Sequence, residues 1–166
     1  MLIHSLLPAD SFRYVGAMTE RLSRQYVGKP YTEPKFNRHV SYDPAWIAPV
    51  HEELIAVVSE KLGKPVKKTY SYISLYGPEG ICPPHTDRRH CEYTLSLCVS
   101  QKHPWPLYVS DVEYLLQEND ALLFNGRKQV HYRPRIRPDN HCHVILFHFV
   151  DPDFKERSDS PATATS

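Results

Sequence analysis

The sequence has little glycine, no excess charge of either sign and no apolar run long enough to span a membrane. Only 6 of its 166 residues are glycine, and 20 basic residues balance 19 acidic ones. Nucleic-acid binding usually needs clustered excess Lys and Arg to neutralise phosphates. The first residues, Met1 to Pro8, lack a basic segment and are too weakly apolar for export. We therefore expect a cytoplasmic protein that binds neither nucleic acid nor membrane.

The four cysteines include no C-x-x-C pair, and we expect reduced thiols that fill space as small hydrophobic side chains. They are Cys82, Cys91, Cys98 and Cys142. Other residue types are abundant: the chain has 15 prolines, 11 tyrosines and 10 histidines. Many prolines beside few glycines favour a β-rich chain with stiff connections over a helical bundle.

Two helices are predicted near the start of the chain. The first follows the cap at residues 8–11 and ends at Gly28, and the second follows Asp43-Pro44 and ends at Gly63. The polar and aromatic segment between them, Tyr31 to Tyr42, is predicted to be a long loop and is the one segment suited to form a lid.

After residue 67 the chain alternates short aromatic and β-branched runs with turn signals, which predicts a sandwich or barrel. The expected fold is α+β and mainly β, with a double-stranded β-helix (jelly roll, cupin-like) core and N-terminal helices packed on one sheet. We expect one domain over residues 1–154, with helices at about 9–63, a β core at about 67–151 and a disordered tail at 155–166. The predicted strands are Thr69 to Tyr76, Tyr93 to Ser100, Pro106 to Ser110, Val112 to Gln117, Ala121 to Phe124, Gln129 to Tyr132 and His143 to Val150.

The residues that indicate chemistry most directly are His85 and Asp87, in the run Pro-Pro-His-Thr-Asp. Residues two apart in an extended chain project to the same side, so this imidazole and this carboxylate can face one point. His131, in a later predicted strand, is the candidate third ligand. Two histidines and one carboxylate on one face of an ion leave positions open, as in the facial triad of non-haem Fe(II) oxygenases.

A lone H-x-D pair has a second interpretation, a turn with an aspartate cap and a solvated histidine. Neighbouring features favour the metal interpretation. A Tyr-Gly-Pro turn at Tyr76 precedes the motif, an apolar strand from Tyr93 to Cys98 follows it, and the run Asp120 to Gly126 precedes the second histidine.

With these pieces in this order, the chain from about Tyr70 to Asp151 resembles the core of the Fe(II)/2-oxoglutarate-dependent dioxygenases. It is most similar to the small prolyl-hydroxylase-like bacterial members. The resemblance covers about half of the chain. The matching segments are Leu75 to Pro78, His85 to Asp87, Asn119 to Phe124 and His131 to Arg133.

The resemblance implies an oxygenase that binds Fe(II), the co-substrate 2-oxoglutarate and O₂, and that hydroxylates a C–H bond of a small molecule or peptide side chain. It implies that His85, Asp87 and His131 are the metal ligands and catalytic centre. It also implies that Tyr76 donates its phenol to 2-oxoglutarate; the equal alternative is a core aromatic with its hydroxyl at the rim. Halogenating relatives leave the position of Asp87 open for halide, so hydroxylation is favoured.

The sequence departs from the family at the cation for the distal carboxylate of 2-oxoglutarate. The family usually places Arg or Lys on the strand after the second histidine, where this chain reads Asn-His-Cys-His. Arg133 shares the inward face with His131 on a regular strand, and a guanidinium grips a carboxylate through two parallel hydrogen bonds. Arg133 is therefore the preferred residue. The alternatives are Arg135, Arg137, His141 and His143.

This departure supports a second hypothesis, a non-catalytic or 2-oxoglutarate-independent cupin-like metal-binding protein. A zinc cluster of His141, His143 and His148 with Cys142 is disfavoured, because strand alternation puts His141 and His143 on the opposite face from Cys142. The basic run Arg88 to His90 is either a solvated turn or a contact for an anionic substrate at the mouth. Trp105 is expected to cover a sheet edge, and the alternative is that it lines a pocket.

Overall fold

A computed structural model describes residues 1–156 of the chain. Helix α1 spans Ala9–Arg24 and α2 spans Ala48–Leu62, and two short 3-10 turns lie at Pro34–Phe36 and Ala45–Ile47. The strands are β1 (Leu2–Ile3), β2 (Arg38–Tyr42), β3 (Lys67–Tyr76), β4 (Cys82–His85), β5 (Tyr93–Gln101), β6 (Leu107–Val109), β7 (Val112–Tyr114), β8 (Ala121–Asn125), β9 (His131–Arg133) and β10 (Cys142–Val150).

The strands form two antiparallel sheets, which confirms the predicted jelly-roll arrangement. The larger sheet has the order β1-β8-β5-β10-β3-β2, and the smaller sheet has the order β4-β9-β6-β7. Strands that are distant in sequence are neighbours in both sheets, as β9 pairs with β4 and β10 pairs with both β3 and β5. This crossing connectivity brings the ends of the predicted motifs to one region between the sheets.

The central strands β5 and β10 of the larger sheet are mostly buried. Along β5, Leu95 and Leu97 pack toward the helices, whereas Thr94, Ser96 and Cys98 alternate to the other face. The face turned away from the helices therefore carries the small and polar side chains. This face forms one wall of an internal cavity.

The two helices cover the outer face of the larger sheet, as predicted. Val15 of α1 and Leu54 and Val58 of α2 are fully or almost fully buried in one cluster with residues of β3, β5 and β10. Helix α2 ends at Gly63, whose φ of 66° is the left-handed conformation that glycine adopts without strain. Helix α1 ends at Arg24, earlier than the predicted Gly28.

The prediction of a long loop over Tyr31 to Tyr42 is wrong. The segment contains the 3-10 turn Pro34–Phe36 and strand β2, which pairs with β3 along its length. Pro34 occupies the first turn of the 3-10 segment, where a missing N–H costs nothing, and leaves the strand itself free of proline. Backbone hydrogen bonds from Gly77 N to Asn37 O and from Ile81 N to Phe36 O also anchor the segment. It is therefore a fixed part of the fold and not a lid.

The structure buries Trp105 beside Tyr76. Only 3% of its surface is exposed. Its ring packs 4.9 Å from the Tyr76 ring, and its Nε1 donates to the carbonyl of Pro134 at 2.8 Å. The indole N–H thus has a carbonyl partner, and the ring packs in one cluster with Tyr76, Cys142 and Val144.

Within residues 1–156, neither helix has the length and apolar character that crossing a membrane requires. The predicted tail at 155–166 lies outside the described residues from position 157 onwards.

Candidate metal site and its cavity

His85, Asp87 and His131 meet at one point between the two sheets. His85 ends β4, Asp87 follows two residues later, and His131 begins β9, which pairs directly with β4. Oδ1 of Asp87 lies 3.4 Å from Nε2 of His85 and 3.3 Å from Nε2 of His131. Among residues 1–156, these three form the only group of His, Cys, Asp or Glu side chains close enough to hold one metal ion.

Both imidazoles turn the same nitrogen toward the shared point. Nδ1 of His85 lies 2.8 Å from the carbonyl oxygen of Pro83, and Nδ1 of His131 lies 2.9 Å from that of Gln129. A carbonyl oxygen only accepts hydrogen bonds, so each Nδ1 carries a proton and donates it. Nε2 of each ring is therefore the nitrogen available to a metal, with its orientation fixed by the backbone.

Asp87 is positioned by groups that sequence reasoning missed. The hydroxyl of Thr94 donates to Oδ2 of Asp87 at 2.8 Å and lies 3.1 Å from Nδ1 of the buried His148. The backbone N–H of Asp87 donates to the carbonyl of Gly126 at 2.8 Å. A Cβ at Gly126 would collide with Oδ2 of Asp87 and lie 2.7 Å from the Thr94 hydroxyl. Only glycine fits there, although the sequence indicated no more than a turn.

The charges at this point are strongly coupled. Burial opposes ionisation of Asp87, but hydrogen bonds from His131, His85 and Thr94 outweigh it and hold its pKa well below the usual range. The same pairing with Asp87, helped by Cys82, raises the pKa of His85 to about 10. The carboxylate is thus ionised at neutral pH and faces two imidazoles. In such an environment, a divalent cation can take the place of the protons on the two imidazoles.

A cavity of about 470 Å³ opens beside the three side chains, between the two sheets. Its walls combine apolar side chains from both sheets with several cations and phenols, which is typical of a small-molecule site. The lining side chains include Glu33, Lys35, Phe36, Arg38, Tyr42, Tyr70, Tyr72, Tyr76, Arg88, Leu107, Phe124, Arg133, Val144 and His148.

Arg133 is buried in this cavity, with 5% of its surface exposed. Its Nη1 donates to the carbonyl of Trp105 at 2.7 Å, and its Cζ lies 4.9 Å from the Trp105 ring centroid. Its Nη2 is buried and has no hydrogen-bond partner within residues 1–156. An unpaired N–H on a buried cation is expensive unless a ligand satisfies it.

The alternative cations for a carboxylate lie elsewhere. Arg135 and Arg137 are exposed and pair with Glu79 and Asp139. His141 bonds to Ser100, and its ring stacks near that of His143. None of the four lines the cavity.

Tyr76 and Arg38 form a second polar group in the cavity. The Tyr76 hydroxyl accepts a hydrogen bond from Nη1 of Arg38 at 2.6 Å, and burial raises the pKa of this phenol above its ordinary value. Tyr76 is 3% exposed, so its ring is buried, and its hydroxyl is paired with Arg38 inside the cavity. Sequence reasoning missed Arg38 because it assigned this segment to a loop; the alternation of Arg38, Val40 and Tyr42 was the available signal.

The described residues show no second metal cluster around Cys142. His148 lines the cavity, whereas His141 and His143 do not, so alternation along β10 separates them. All four cysteines are free thiols, and Cys91, Cys98 and Cys142 are buried as expected.

No protein-family model matches this sequence, and no curated protein matches it. Solved structures do match. AviO1 from Streptomyces viridochromogenes Tue57 has a TM-score of 0.71 at 18% identity, over 91% of this chain and 89% of that one. A prolyl-4-hydroxylase from Pseudomonas putida has a TM-score of 0.66 at 15% identity, over 91% of each chain. HygX from Streptomyces hygroscopicus, with nickel, 2-oxoglutarate and hygromycin B bound, has a TM-score of 0.69 at 12% identity, over 94% and 84%.

These likenesses define the class of fold. The chain has the jelly-roll architecture of a group that contains a prolyl hydroxylase and a 2-oxoglutarate-binding metalloprotein, over nine-tenths of its length. The resemblance read from the sequence motifs is therefore confirmed for the fold, and it extends to the helices as well as the β core.

Proposed function

We propose that this chain is an Fe(II)- and 2-oxoglutarate-dependent oxygenase that hydroxylates a C–H bond of a small molecule or a peptide side chain. One observation carries the proposal. A two-histidine, one-carboxylate cluster lies in the same cavity as a buried arginine whose Nη2 has no partner among the described residues. The first feature suits a ferrous ion, and the second suits a dicarboxylate co-substrate.

The donor set fits the metal. His85 and His131 would offer Nε2, and Asp87 would offer Oδ1, to one ion. Nitrogen and oxygen donors in this two-to-one ratio are those of non-haem Fe(II) oxygenases. Because the backbone of Pro83 and Gln129 fixes both rings, the chain holds its ligands in place before any metal arrives.

The cavity also fits the co-substrate. The free Nη2 of Arg133 would bind the distal carboxylate of 2-oxoglutarate, and the Trp105 ring keeps the guanidinium plane in position. Leu107, Phe124 and Val144 supply apolar walls that exclude water from the reacting centre. When bound, iron and 2-oxoglutarate would supply the oxidation, in which O₂ is consumed, 2-oxoglutarate yields succinate and CO₂, and a C–H bond becomes C–OH.

The competing hypothesis is a metal-binding protein that does not use 2-oxoglutarate. Its support was the absence of Arg or Lys on the strand after the second histidine, which is β10. A cation from β9, Arg133, lies in the cavity instead, and this favours the oxygenase.

An anaerobic titration separates the two hypotheses. We expect Fe(II) and 2-oxoglutarate together to give a visible charge-transfer band that neither gives alone, and a rise in thermal stability that depends on both. Exposure to O₂ should then form succinate. A protein that binds Fe(II) but gives neither the band nor succinate would support the metal-binding alternative.

Asp87→Ala tests the metal cluster directly. We expect it to abolish succinate formation with Fe(II) and ascorbate, because the anionic ligand is lost. Asp139→Ala is the matched control, since Asp139 is an exposed carboxylate that pairs with Arg137 far from the cavity. If Asp87→Ala turned over like the control, the cluster would not be the catalytic centre.

A further inference from the structure

Two of the arginines that line the cavity belong to different sheets. Arg133 lies on β9 of the smaller sheet, and Arg38 lies on β2 of the larger one. They have different partners: Arg133 stacks on Trp105, whereas the Arg38 guanidinium lies 5.0 Å from the Phe36 ring and 5.4 Å from the Tyr72 ring. A single co-substrate carboxylate uses one of them, and the other is left for a different ligand.

Arg38 is held in one orientation but is not saturated. Its Nε donates to Oε2 of Glu33 at 2.6 Å, and its Nη1 donates to the hydroxyls of Tyr76 at 2.6 Å and Ser74 at 3.4 Å. Its Nη2 makes no hydrogen bond within residues 1–156, and the side chain keeps 15% of its surface exposed. Glu33 thus holds Nε, the Tyr76 and Ser74 hydroxyls hold Nη1, and Nη2 is left without a partner on a side chain that lines the cavity.

Around Arg38, positively charged side chains outnumber negatively charged ones. Lys35 and Arg88 also line the cavity and are not engaged in an ion pair within the described chain. Glu33 and Asp87 are the carboxylates on the described cavity lining, and Asp43 lies in a smaller pocket beside Arg88. In the proposed complex, the metal and Arg133 are balanced by the 2-oxoglutarate dianion and Asp87. The remaining positive charge would attract an anion and would repel a cation.

Aromatic side chains line the same part of the cavity. The Tyr42 ring lies 4.8 Å from the Tyr72 ring and 6.1 Å from the Tyr70 ring, and these three form one wall. Such faces pack against flat or apolar groups. The volume, about 470 Å³, is that of a small-molecule pocket and must also hold the co-substrate.

We propose that the substrate is a small carboxylic acid with an apolar ring, whose carboxylate binds the unpaired Nη2 of Arg38 while its ring packs on the tyrosine wall. This proposal rests on the proposed function, because it assigns Arg133 to 2-oxoglutarate. It narrows the class of substrate from any small molecule or peptide to an anion that carries an apolar ring.

The test compares trans-cinnamate with its uncharged amide, cinnamamide, as probes. Binding is measured by calorimetry to the anaerobic Fe(II)–2-oxoglutarate form, so that saturating co-substrate occupies Arg133 and the metal. We expect cinnamate to bind at least about tenfold more tightly than cinnamamide, the difference that one charge-assisted pair supplies. Arg38→Gln should remove this preference, and Arg38→Lys, which keeps the charge but cannot hold an N–H at the Nη2 position while bonding to Glu33 and Tyr76, should remove most of it.

The Fe(II)–2-oxoglutarate band distinguishes the failure of this proposal from that of the proposed function. If the wild-type protein lacks the band, the proposed function fails. If the band is normal but cinnamate and cinnamamide bind equally, or neither binds, the assignment of a carboxylic acid is overturned. If Arg38→Gln weakens the binding of 2-oxoglutarate instead of that of cinnamate, Arg38 is the cation that binds the co-substrate, and the proposal is also overturned. Arg137→Gln is the surface control and should change neither affinity.

Discussion

The hydroxyl of Thr94 donates to one oxygen of Asp87, and the two imidazoles face the other. Oδ2 takes the 2.8 Å hydrogen bond from Thr94, whereas Oδ1 lies 3.4 Å and 3.3 Å from the Nε2 atoms of His85 and His131. One oxygen of the carboxylate, Oδ2, is therefore held by Thr94, and the other, Oδ1, is in position to bind a metal. This division explains how an aspartate just past the end of a strand keeps one orientation.

Thr94→Val should weaken metal binding by about 10- to 100-fold, the usual effect of losing a hydrogen bond that orients a ligand. The change also leaves Oδ2 of Asp87 and Nδ1 of His148 without their shared partner, so the metal-free protein should lose about 1–3 kcal/mol of stability. Anaerobic Fe(II) titration and urea unfolding measure the two effects.

Thr94→Ser is the matched variant, because it keeps the hydroxyl and removes a methyl group. It should retain most of the metal affinity. Equal loss in the serine and valine variants would show that packing at Thr94, and not its hydrogen bond, supports Asp87.

Gly126→Ala should damage the same site from the opposite side. The new methyl group would collide with Oδ2 of Asp87 and approach the Cys91 carbonyl to 2.7 Å. Because backbone and a buried ligand cannot move aside easily, we expect a loss of about 1–3 kcal/mol in stability together with weaker Fe(II) binding.

Gly16→Ala is the control for this substitution. Gly16 lies within α1, and a Cβ there would meet nothing within 4 Å. The alanine should stabilise the protein by about 0.5–1 kcal/mol through its higher helix propensity and leave Fe(II) affinity unchanged. If both alanines behaved alike, the contact at Gly126 would not matter.

The fold was predictable to the extent that local patterns fix it. Strands β3, β5, β8 and β10 agree with their predicted ranges within a few residues, because each is a run of β-branched and aromatic side chains bounded by turns. Strand β2 was missed because its sequence is polar and follows two prolines, and it exists through pairing with β3. The short β1 was missed for a similar reason, since two residues carry no detectable period.

The candidate site was predictable where spacing along one strand determines direction. His85 and Asp87 are two residues apart, as are His131 and Arg133, so alternation placed each pair on one face. The support around them was not predictable. Thr94 and Gly126 join Asp87 only through the folding of β5 and β8 against the motif, and Arg38 enters the cavity only because β2 forms.

His51 should make the stability of the protein depend on pH in the acidic range. Burial lowers its pKa to about 4, although its Nε2 donates to the carbonyl of His148 at 3.2 Å. The unfolded chain takes up a proton near the ordinary pKa of about 6.5, and the folded chain does not. The contribution of His51 to the free energy of unfolding is therefore fully present above about pH 6.5 and is lost as the pH falls toward 4. The loss amounts to up to about 3 kcal/mol.

His51→Gln should flatten that dependence, because glutamine can donate to the same carbonyl but does not titrate. Unfolding free energies measured by urea between pH 4 and pH 7 give the slope directly. His103→Gln, at an exposed position beside Asp139, is the control and should keep the wild-type slope. A slope unchanged by His51→Gln would assign the acid sensitivity to other buried histidines.

Arg133→Met should separate co-substrate binding from metal binding. The variant removes a buried cation whose Nη2 is unpaired. In the metal-loaded protein without 2-oxoglutarate, Fe(II) affinity should therefore stay within about twofold. The stability should not fall by the several kcal/mol that are typical of a broken buried ion pair. With 2-oxoglutarate, the apparent Kd from the charge-transfer band should rise at least about tenfold, because the distal carboxylate loses its fork. Arg135→Met, an exposed arginine two residues along that pairs with Glu79, should bind normally. Unchanged 2-oxoglutarate affinity in Arg133→Met would mean that another group binds this carboxylate, and the orphaned Nη2 would then have no role in the reaction.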